Sequence, residues 1–386
     1  MKTLISTLAF AALAVPLASC NAAPAQPNGG KATANGSFAV EDYGKFDEPW
    51  ALAFAPGTSV LFVTERGGTI KFVDTVSRRL GTVTGLPKVD YGGQGGLGDV
   101  AFLPGEAAPR LGKRTIYLSW AEAGQGDTRG AAVGRGTLIC EQADSCRVEG
   151  LKVIWRQTPK VTGRGHYSHR LLFSPDGKYL YVASGERQKF TPAQELSVNL
   201  GKVLRLLPDG TSAPGNPFAD RGGASAQIWS YGHRNILGLQ WDARGRLWDL
   251  EHGPRGGDEL NLVEPGKNYG WPLVSNGDNY DGTPIPRHST RPDLTAPAIS
   301  WNPVIAPGGF IFYSGDAFPA WKGEALIAGM VYKGLVRVDL DGERAREVER
   351  IPLGKRIRAV VQGPDGAVWI AEDKSGARLR KLTPRR

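Results

Sequence analysis

The sequence predicts an all-β chain folded as a six-bladed β-propeller, and three observations lead there. Short β-rich runs recur: VLFVT at 60–64, IYLSW at 116–120, YLYVA at 179–183, RLWDL at 246–250, ALIA at 325–328 and AVWIA at 367–371. Several follow one kind of turn, SPDG at 174–177, DARG at 242–245 and GPDG at 363–366, in which Pro and Asp set a tight reversal and Gly takes the positive φ. Beyond the N-terminal segment no stretch keeps apolar spacing at three and four for more than two helical turns, so helices are not expected. Six units of about sixty residues each exceed the common propeller repeats, so some connections must be long. Ring closure protects the sheet edges in such a fold. The competing architecture, a pair of β-sandwiches, needs a linker near the middle, and none is visible between Pro159 and Tyr231.

From the N-terminus, residues 1–19 read as a signal peptide: Lys2 precedes an apolar run from Leu4 to Leu17 that is too short and too Ala-rich for a stable membrane span. Leu17-Ala18-Ser19-Cys20 resembles a bacterial lipobox, in which Cys20 becomes the lipidated first residue of the mature protein. Asn21 does not resemble an inner-membrane retention signal, so an outer-membrane anchor on the periplasmic side is expected. The alternative is ordinary cleavage nearby, after Ala23, which releases a soluble periplasmic protein. Residues 20–37 are mostly Ala, Pro, Gly and Asn with almost nothing apolar to bury, the composition of a flexible tether. Residues 38–386 make the propeller, and residues 38–41 are expected to lend a strand to its last blade.

Gly at 52 residues and Pro at 27, without a strict period, fit many turns better than disorder, because ten Trp residues and the strand runs are interleaved with them. The net charge of +9 points to an anionic ligand or surface, yet the Lys and Arg residues are scattered, so nucleic acid is not an expected partner. Cys140 and Cys146 bracket a polar turn in LICEQADSC, and in an oxidising compartment they read as a disulfide across a hairpin. Metal binding is the weaker reading of that pair, since no His or further Cys lies near.

Chemistry-bearing residues cluster beside the strand runs, where propeller loops converge on one end of the central channel. The densest stretch runs from Tyr231 to Trp271 and includes His233, Arg234, Asn235, His252, Asp258 and Glu259, an inventory of donors, acceptors and hard oxygen ligands rather than of a connector. Gln94 sits in GGQGGLGDVAF, His166 in HYSHRLLFSPDG, Glu186 with Arg187 and Gln188 in ASGERQ, and Arg356 with Arg358 in KRIRAVV. Singly, each is more often a solvated Arg or a hydrogen-bonded loop His, but four of the five histidines, at 166, 169, 233 and 252, fall in these segments. Arg356 and Arg358 alternate, which puts them on one side of a strand, and Arg234 adds a third cation. Arg forks of that kind suit a polyanion. His166, with an ordinary imidazole pKa, suits a general base at neutral pH. The backbone carbonyls of Gly253 and Pro254, with anionic ligand oxygens, would suit a hard cation such as calcium.

These motifs, with EPWALAF at Glu48, SPDGKYLYVASGER, AQELSVNLGKVLRLLPDG, SYGHRNILGL, EHGPRGGDELN and KNYGWP, make the chain resemble the soluble pyrroloquinoline quinone (PQQ)-dependent aldose sugar dehydrogenases, the glucose/sorbosone dehydrogenase group. The resemblance covers nearly the whole mature chain and implies the same six-bladed fold. It implies that His166 takes the proton from the C1 hydroxyl of an aldose, and that the C1 hydride passes to C5 of the quinone. Gln94, Arg234 and Asn235 match quinone-contacting positions, with Arg234 also set against the negative charge of the reduced quinone, and Arg356 and Arg358 match residues that grip its carboxylates. Gly253 and Pro254 match the site of the catalytic calcium, and Glu259 with Tyr269 a second, structural calcium.

The chain also departs from that pattern. Glucose-specific members carry an Asp where this chain has Glu186, which is longer by a methylene but able to accept the His Nδ1 hydrogen. Lys333 in VYKGLVRV is the nearest counterpart of the cofactor-binding lysine, although counting back from Arg337 puts Val331 there. His252 stands where a Gln precedes the Gly-Pro pair. The insertions that shape the glucose pocket and the dimer are shortened, which implies a more open site, a broader aldose range and a monomer. The electron acceptor would be a small cytochrome or a membrane quinone. Two other functions compete: a propeller that has lost catalysis and serves as a binding module, and a calcium-dependent sugar lactonase, which needs several carboxylates and Asn around one ion.

Overall fold

A computed structural model describes residues 31–32 and 38–385, so the signal peptide, Cys20 and most of the tether lie outside the described residues. Strands β1 (Lys31–Ala32) and β2 (Phe38–Phe46) precede a series of antiparallel meanders. These run through β3 (Pro49–Phe54), β4 (Val60–Glu65), β5 (Thr69–Asp74) and β6 (Leu80–Thr84), then β7 (Leu97–Phe102), β8 (Gly112–Ala123), β9 (Arg129–Cys140) and β10 (Ser145–Arg156). Next come β11 (Ser168–Phe173), β12 (Leu180–Ser184), β13 (Lys202–Leu206) and β14 (Ile228–Tyr231), then β15 (Ile236–Trp241), β16 (Leu247–Glu251), β17 (Asp258–Leu262) and β18 (Ile299–Trp301). The chain ends with β19 (Pro307–Phe312), β20 (Ala325–Gly329), β21 (Gly334–Asp341) and β22 (Arg344–Pro352), and with β23 (Ile357–Gln362), β24 (Val368–Glu372) and β25 (Ala377–Pro384). Among the described residues the only helical segments are short 3-10 turns.

Pairing gathers these strands into five sheets, because the two meanders from β3 to β10 merge through parallel pairing of their outer strands β6 and β10. Innermost strands pack side by side in chain order, β3 on β7, β7 on β11, β11 on β15, β15 on β19 and β19 on β23, and β23 returns to β3. Sheets set radially about a channel in this way form a β-propeller. The final sheet borrows β2, which pairs antiparallel with β25 from Phe38↔Pro384 to Phe46↔Ala377, so the expected N-terminal strand is present.

The recurring β-rich runs occupy one structural position. They lie in or within a residue of β4, β8, β12, β16, β20 and β24, the second strand out from the channel in each meander. Every residue of β4, β12, β16, β20 and β24 is buried, which is why those runs read as predominantly apolar rather than alternating. Between sheets the core is aromatic and aliphatic: Phe62, Phe102 and Trp120 in one interface, Trp248, Trp301 and Phe310 in another, and Leu61, Val73 and Trp369 where the ring closes. Full burial of each such side chain stabilises by about 1.5–3 kcal/mol. Cys140 and Cys146 are bonded across the β9–β10 turn, as the spacing predicts.

Candidate active site

Two segments that meet at one end of the channel are held in unusual backbone conformations. His166, Ser168, His169, Arg187, Gln188 and Phe190 all have positive φ, a strained state for residues with a Cβ that persists only where the surroundings fix it. Arg187 does much of that fixing. Its fully buried guanidinium donates to the carbonyls of Gly165 at 2.8 Å, Arg129 at 2.7 Å and Gly163 at 2.6 Å, and lies 3.8 Å from the Tyr167 ring centroid. Gly185 lets the end of β12 come against this turn, since a Cβ there would collide with the His166 carbonyl.

His166 is held at two points. Its amide donates to Gln94 Oε1 at 2.8 Å, and its Nδ1 is hydrogen-bonded to Glu186 Oε1. The other oxygen of Glu186 accepts the amides of Lys189 at 2.5 Å and Phe190 at 2.6 Å, so the carboxylate is itself fixed. Burial raises the Glu186 pKa, but the hydrogen bond and charge of His166, the Phe190 amide and the Arg234 charge together outweigh it and hold the group below the usual carboxylate range. Burial pushes His166 below the ordinary imidazole value against the pull of Glu186. The ring is therefore neutral at pH 7, with its proton on Nδ1 and a lone pair on Nε2. His166 and Glu186 line a cavity of about 110 Å³ with Phe190, Arg234, Pro254, Trp271 and Tyr280.

Arg234 and Asn235 come from the β14–β15 loop. Arg234 donates to the His252 carbonyl at 3.0 Å and to Tyr280 Oη at 3.3 Å, lies 5.1 Å from the Trp271 centroid, and keeps a buried Nε without a partner among the described residues. Asn235 Oδ1 accepts the Ser168 amide at 3.2 Å. A second cavity of about 200 Å³ brings together Gln94, Asn235, His252, Arg356 and Arg358, walled by Trp50, Arg66, His169 and Met330. Arg356 and Arg358 do point the same way: both reach Asp373, Arg356 Nε at 2.7 Å and Arg358 at 2.9 and 3.0 Å. Burial pushes Arg358 below its ordinary value and His252 and His169 down to about 3. His252 Nε2 donates to the Pro307 carbonyl at 2.6 Å, whereas neither ring nitrogen of His169 has a partner among the described residues.

A third, much smaller cavity joins Gly253, Pro254, Glu259 and Tyr269 to Arg234 and Glu251. Asp258 fixes this turn by accepting the Gly253 amide at 2.9 Å and the Ala306 amide at 2.7 Å. Burial raises Asp258 to about 6, and burial followed by the charges of Glu251 and Asp249 raises Glu259 well above the carboxylate range. The Tyr269 hydroxyl is committed to protein, donating to the Leu262 carbonyl at 2.5 Å and accepting the Glu264 amide at 2.9 Å.

The site residues expected from the sequence thus line these three neighbouring cavities, which share Arg234, Pro254 and His252 as walls, with one exception. Lys333 stands in the exposed β20–β21 turn with φ of 64° and lines none of them; Met330 of the same turn does. Asp373 and Glu251 are functional neighbours that sequence reasoning missed. For Glu251 a signal existed, because Asp249 and Glu251 alternate on a strand that is otherwise apolar.

Comparison with known proteins agrees with this geometry. The family model for Glucose / Sorbosone dehydrogenase matches residues 46–381. The chain is 39% identical over 349 residues to aldose sugar dehydrogenase YliI of Escherichia coli (strain K12), covering 88% of this chain and 91% of that one. The crystal structure of the soluble aldose sugar dehydrogenase from Escherichia coli in the apo-form superposes with a TM-score of 0.82 at 36% identity, covering 90% of this chain and all of that one. The PQQ-bound form of aldose sugar dehydrogenase from Streptomyces coelicolor superposes with a TM-score of 0.71 at 26% identity, covering 90% and 98%. Fold, site geometry and these relatives lead to one conclusion: the chain belongs to the glucose/sorbosone dehydrogenase family.

Proposed function

We propose that this protein is a six-bladed quinoprotein that oxidises aldose sugars at C1 to the corresponding lactones, with PQQ and calcium as cofactors. The observation that carries the reading is a neutral, carboxylate-oriented His166 beside cavities ringed by Arg234, Arg356 and Arg358. Six equivalent second strands and a ring of six inner strands support the blade count. The names of its relatives, an aldose sugar dehydrogenase and a PQQ-bound one, support the reaction class.

The residues present fit a planar polyanion. Buried polar atoms without partners among the described residues lie around the proposed cofactor site, among them Arg66 Nε, Arg234 Nε and both nitrogens of His169, and such groups are costly unless a ligand satisfies them. Gln94, Arg234, Asn235, Arg356 and Arg358 would hold the cofactor, and Lys333 is the counterpart that the resemblance offers for a further contact. Gly253 and Pro254 would offer carbonyl oxygens to the catalytic calcium. Glu259 with Tyr269 would bind a structural one, and the crowding of Glu259 by Glu251, Asp249 and Asp258 is what a divalent cation relieves.

When bound, PQQ supplies the acceptor for the C1 hydride, and calcium the Lewis acidity that draws electrons toward it. His166 Nε2 takes the proton of the C1 hydroxyl, and Glu186 stabilises the imidazolium that results. Arg234 presents a fixed positive charge where negative charge develops. Residues 1–19 direct export, residues 20–37 tether the mature chain to a lipid on Cys20 at the periplasmic side of the outer membrane, and the propeller acts as a monomer. A small cytochrome or a membrane quinone takes the electrons onward.

The test adds PQQ and calcium to the apoprotein, followed by glucose and a dye acceptor. Bleaching of the dye only with the quinone present is the expected result. Failure of the quinone to bind, or full activity in His166→Ala, would end the assignment.

A further inference from the structure

The β14–β15 loop that carries Arg234 and Asn235 is held by one buried carboxylate. Glu251 Oε2 accepts the backbone amides of Arg234 at 2.7 Å and Asn235 at 3.2 Å, while Oε1 bonds His233 Nδ1 at 2.6 Å. Three consecutive residues therefore converge on a side chain that is only 4% exposed. The carboxylate is oriented from behind as well. His233 Nε2 is bonded to Ser230 Oγ at 2.8 Å, and Asp249, two residues before Glu251 on the same face of β16, lies 3.1 Å from His233 Nδ1. His233, Asp249 and Glu251 put one ligating atom each within 4.8 Å of one another, a spacing that would also suit a metal. Both His233 nitrogens are already committed to hydrogen bonds, however, and the ring stacks on Tyr269 at 4.6 Å, so the group is a closed ion-pair network.

The hold of Glu251 extends to the base. The Arg234 carbonyl accepts the Glu186 amide at 3.0 Å, which ties the loop to the carboxylate that orients His166. Asn235 Oδ1 accepts the Ser168 amide, and Ser168 Oγ accepts the Ile236 amide at 2.8 Å, which laces the loop to the segment just after His166. An apolar side chain of similar volume would fill the same space without the desolvation cost of a charge. It could not accept two inward-pointing amides, which would be left unpaired and buried.

We propose that Glu251 is a positioning residue of the active site: backed by His233, it fixes the backbone of Arg234 and Asn235 and so sets the register between the arginine and the His166–Glu186 pair. Its value to the reaction rests on the roles proposed above for His166 and Arg234.

The test is Glu251→Met in the full mature chain, which keeps a similar volume but removes both acceptor oxygens, including the one that takes both amides. Amide hydrogen exchange is measured first, on the apoprotein. The Arg234, Asn235 and Glu186 amides are expected to lose protection by at least about tenfold, while those of β4 and β24 keep theirs. In the quinone- and calcium-loaded enzyme, kcat is expected to fall on the order of 100-fold with sugar KM within about threefold, the pattern of misplaced rather than missing groups. Glu251→Asp, whose carboxylate keeps its charge but is shorter by one methylene and cannot reach His233 and the two amides together, shows intermediate exchange and kcat, and replaces the Met variant should that fail to fold. Unchanged exchange at the three amides overturns the proposal, and so does a loosened loop with unchanged kcat. If the wild type shows no quinone-dependent sugar oxidation, the proposed reaction fails instead, and the exchange data still decide whether Glu251 holds the loop.

Discussion

Two histidines in neighbouring loops are built on the same plan and end in opposite states. His166 and His233 each bond a glutamate through Nδ1, Glu186 for the first and Glu251 for the second, and each glutamate also gathers two backbone amides. His166 has that one carboxylate, an Nε2 without a protein partner among the described residues, and a pKa pushed below the ordinary value. His233 is fully buried, has a second carboxylate in Asp249, and bonds Ser230 through Nε2; burial opposes its charge, but Glu251 and Asp249 outweigh burial and raise it to about 9. His169 extends the series: with no carboxylate partner and no ring hydrogen bond among the described residues, burial takes it down to about 3. The count of carboxylates, two, one and none, sets the order. A ring poised to accept a proton is the one with a single carboxylate and a free second nitrogen.

The comparison is broken most directly by exchanging the two rings for glutamine. His166→Gln is expected to lower kcat by about 10³-fold, within the range for loss of a general base, with quinone binding retained. His233→Gln leaves two buried carboxylates without their cation, so its main effect is on folding, about 3–5 kcal/mol by denaturant melts of the apoprotein. Some loss of activity accompanies it through Glu251. If His233→Gln lowers kcat as far as His166→Gln in a protein of unchanged stability, the division of labour drawn here is wrong.

How much of this contrast could be read from sequence depends on burial. The second strands were legible because strands such as β12 and β24 are covered on both faces and so run predominantly apolar. Outer strands such as β22 are half exposed and carry alternating charges, so RAREVERIP has no such signature. Gln94, His166, Arg234, Asn235, Arg356 and Arg358 stood out as polar residues beside strand runs. Asp373 did not, because a carboxylate after a strand looks like any solvated turn until Arg356 and Arg358 are seen to share it. Neither did the charge state of His233, which depends on Asp249 and Glu251 arriving from another strand. Lys333 shows the converse: a motif counterpart was available, but the backbone puts it in an exposed turn away from the cavity walls.

Glu186→Gln sharpens the comparison by converting the one-carboxylate case toward the none. Glu186 raises the His166 pKa against burial, so its removal is expected to move the acid limb of the kcat/KM profile, already below the ordinary imidazole value, to still lower pH. The amide can still orient the ring but stabilises the imidazolium less, and kcat is expected to drop by about 10–100-fold. An acid limb that moves upward would show that the carboxylate does not act on His166 as the geometry indicates.

His169 gives the smallest effect and the cleanest sign. Its neutral form is favoured in the fold, whereas in the unfolded chain it takes up a proton near pH 6.5. Stability is therefore fully present above pH 6.5 and is lost as pH falls from there toward 3, by about 1.4 kcal/mol per pH unit for each such proton. His252, also depressed to about 3, adds a second proton of the same sign, whereas carboxylates raised in the fold, such as Asp258 and Glu259, contribute with the opposite sign, so the wild-type slope alone is ambiguous. The difference between wild type and His169→Phe removes those common terms, because Phe keeps the stack on Tyr167 and the edge contact with Trp50. Apoprotein unfolding measured between pH 6.5 and 4 is expected to be less pH-dependent in the variant by one proton. Equal slopes would mean that the ring is charged in the fold, and that burial without a carboxylate does not suffice to keep a histidine neutral beside this cavity.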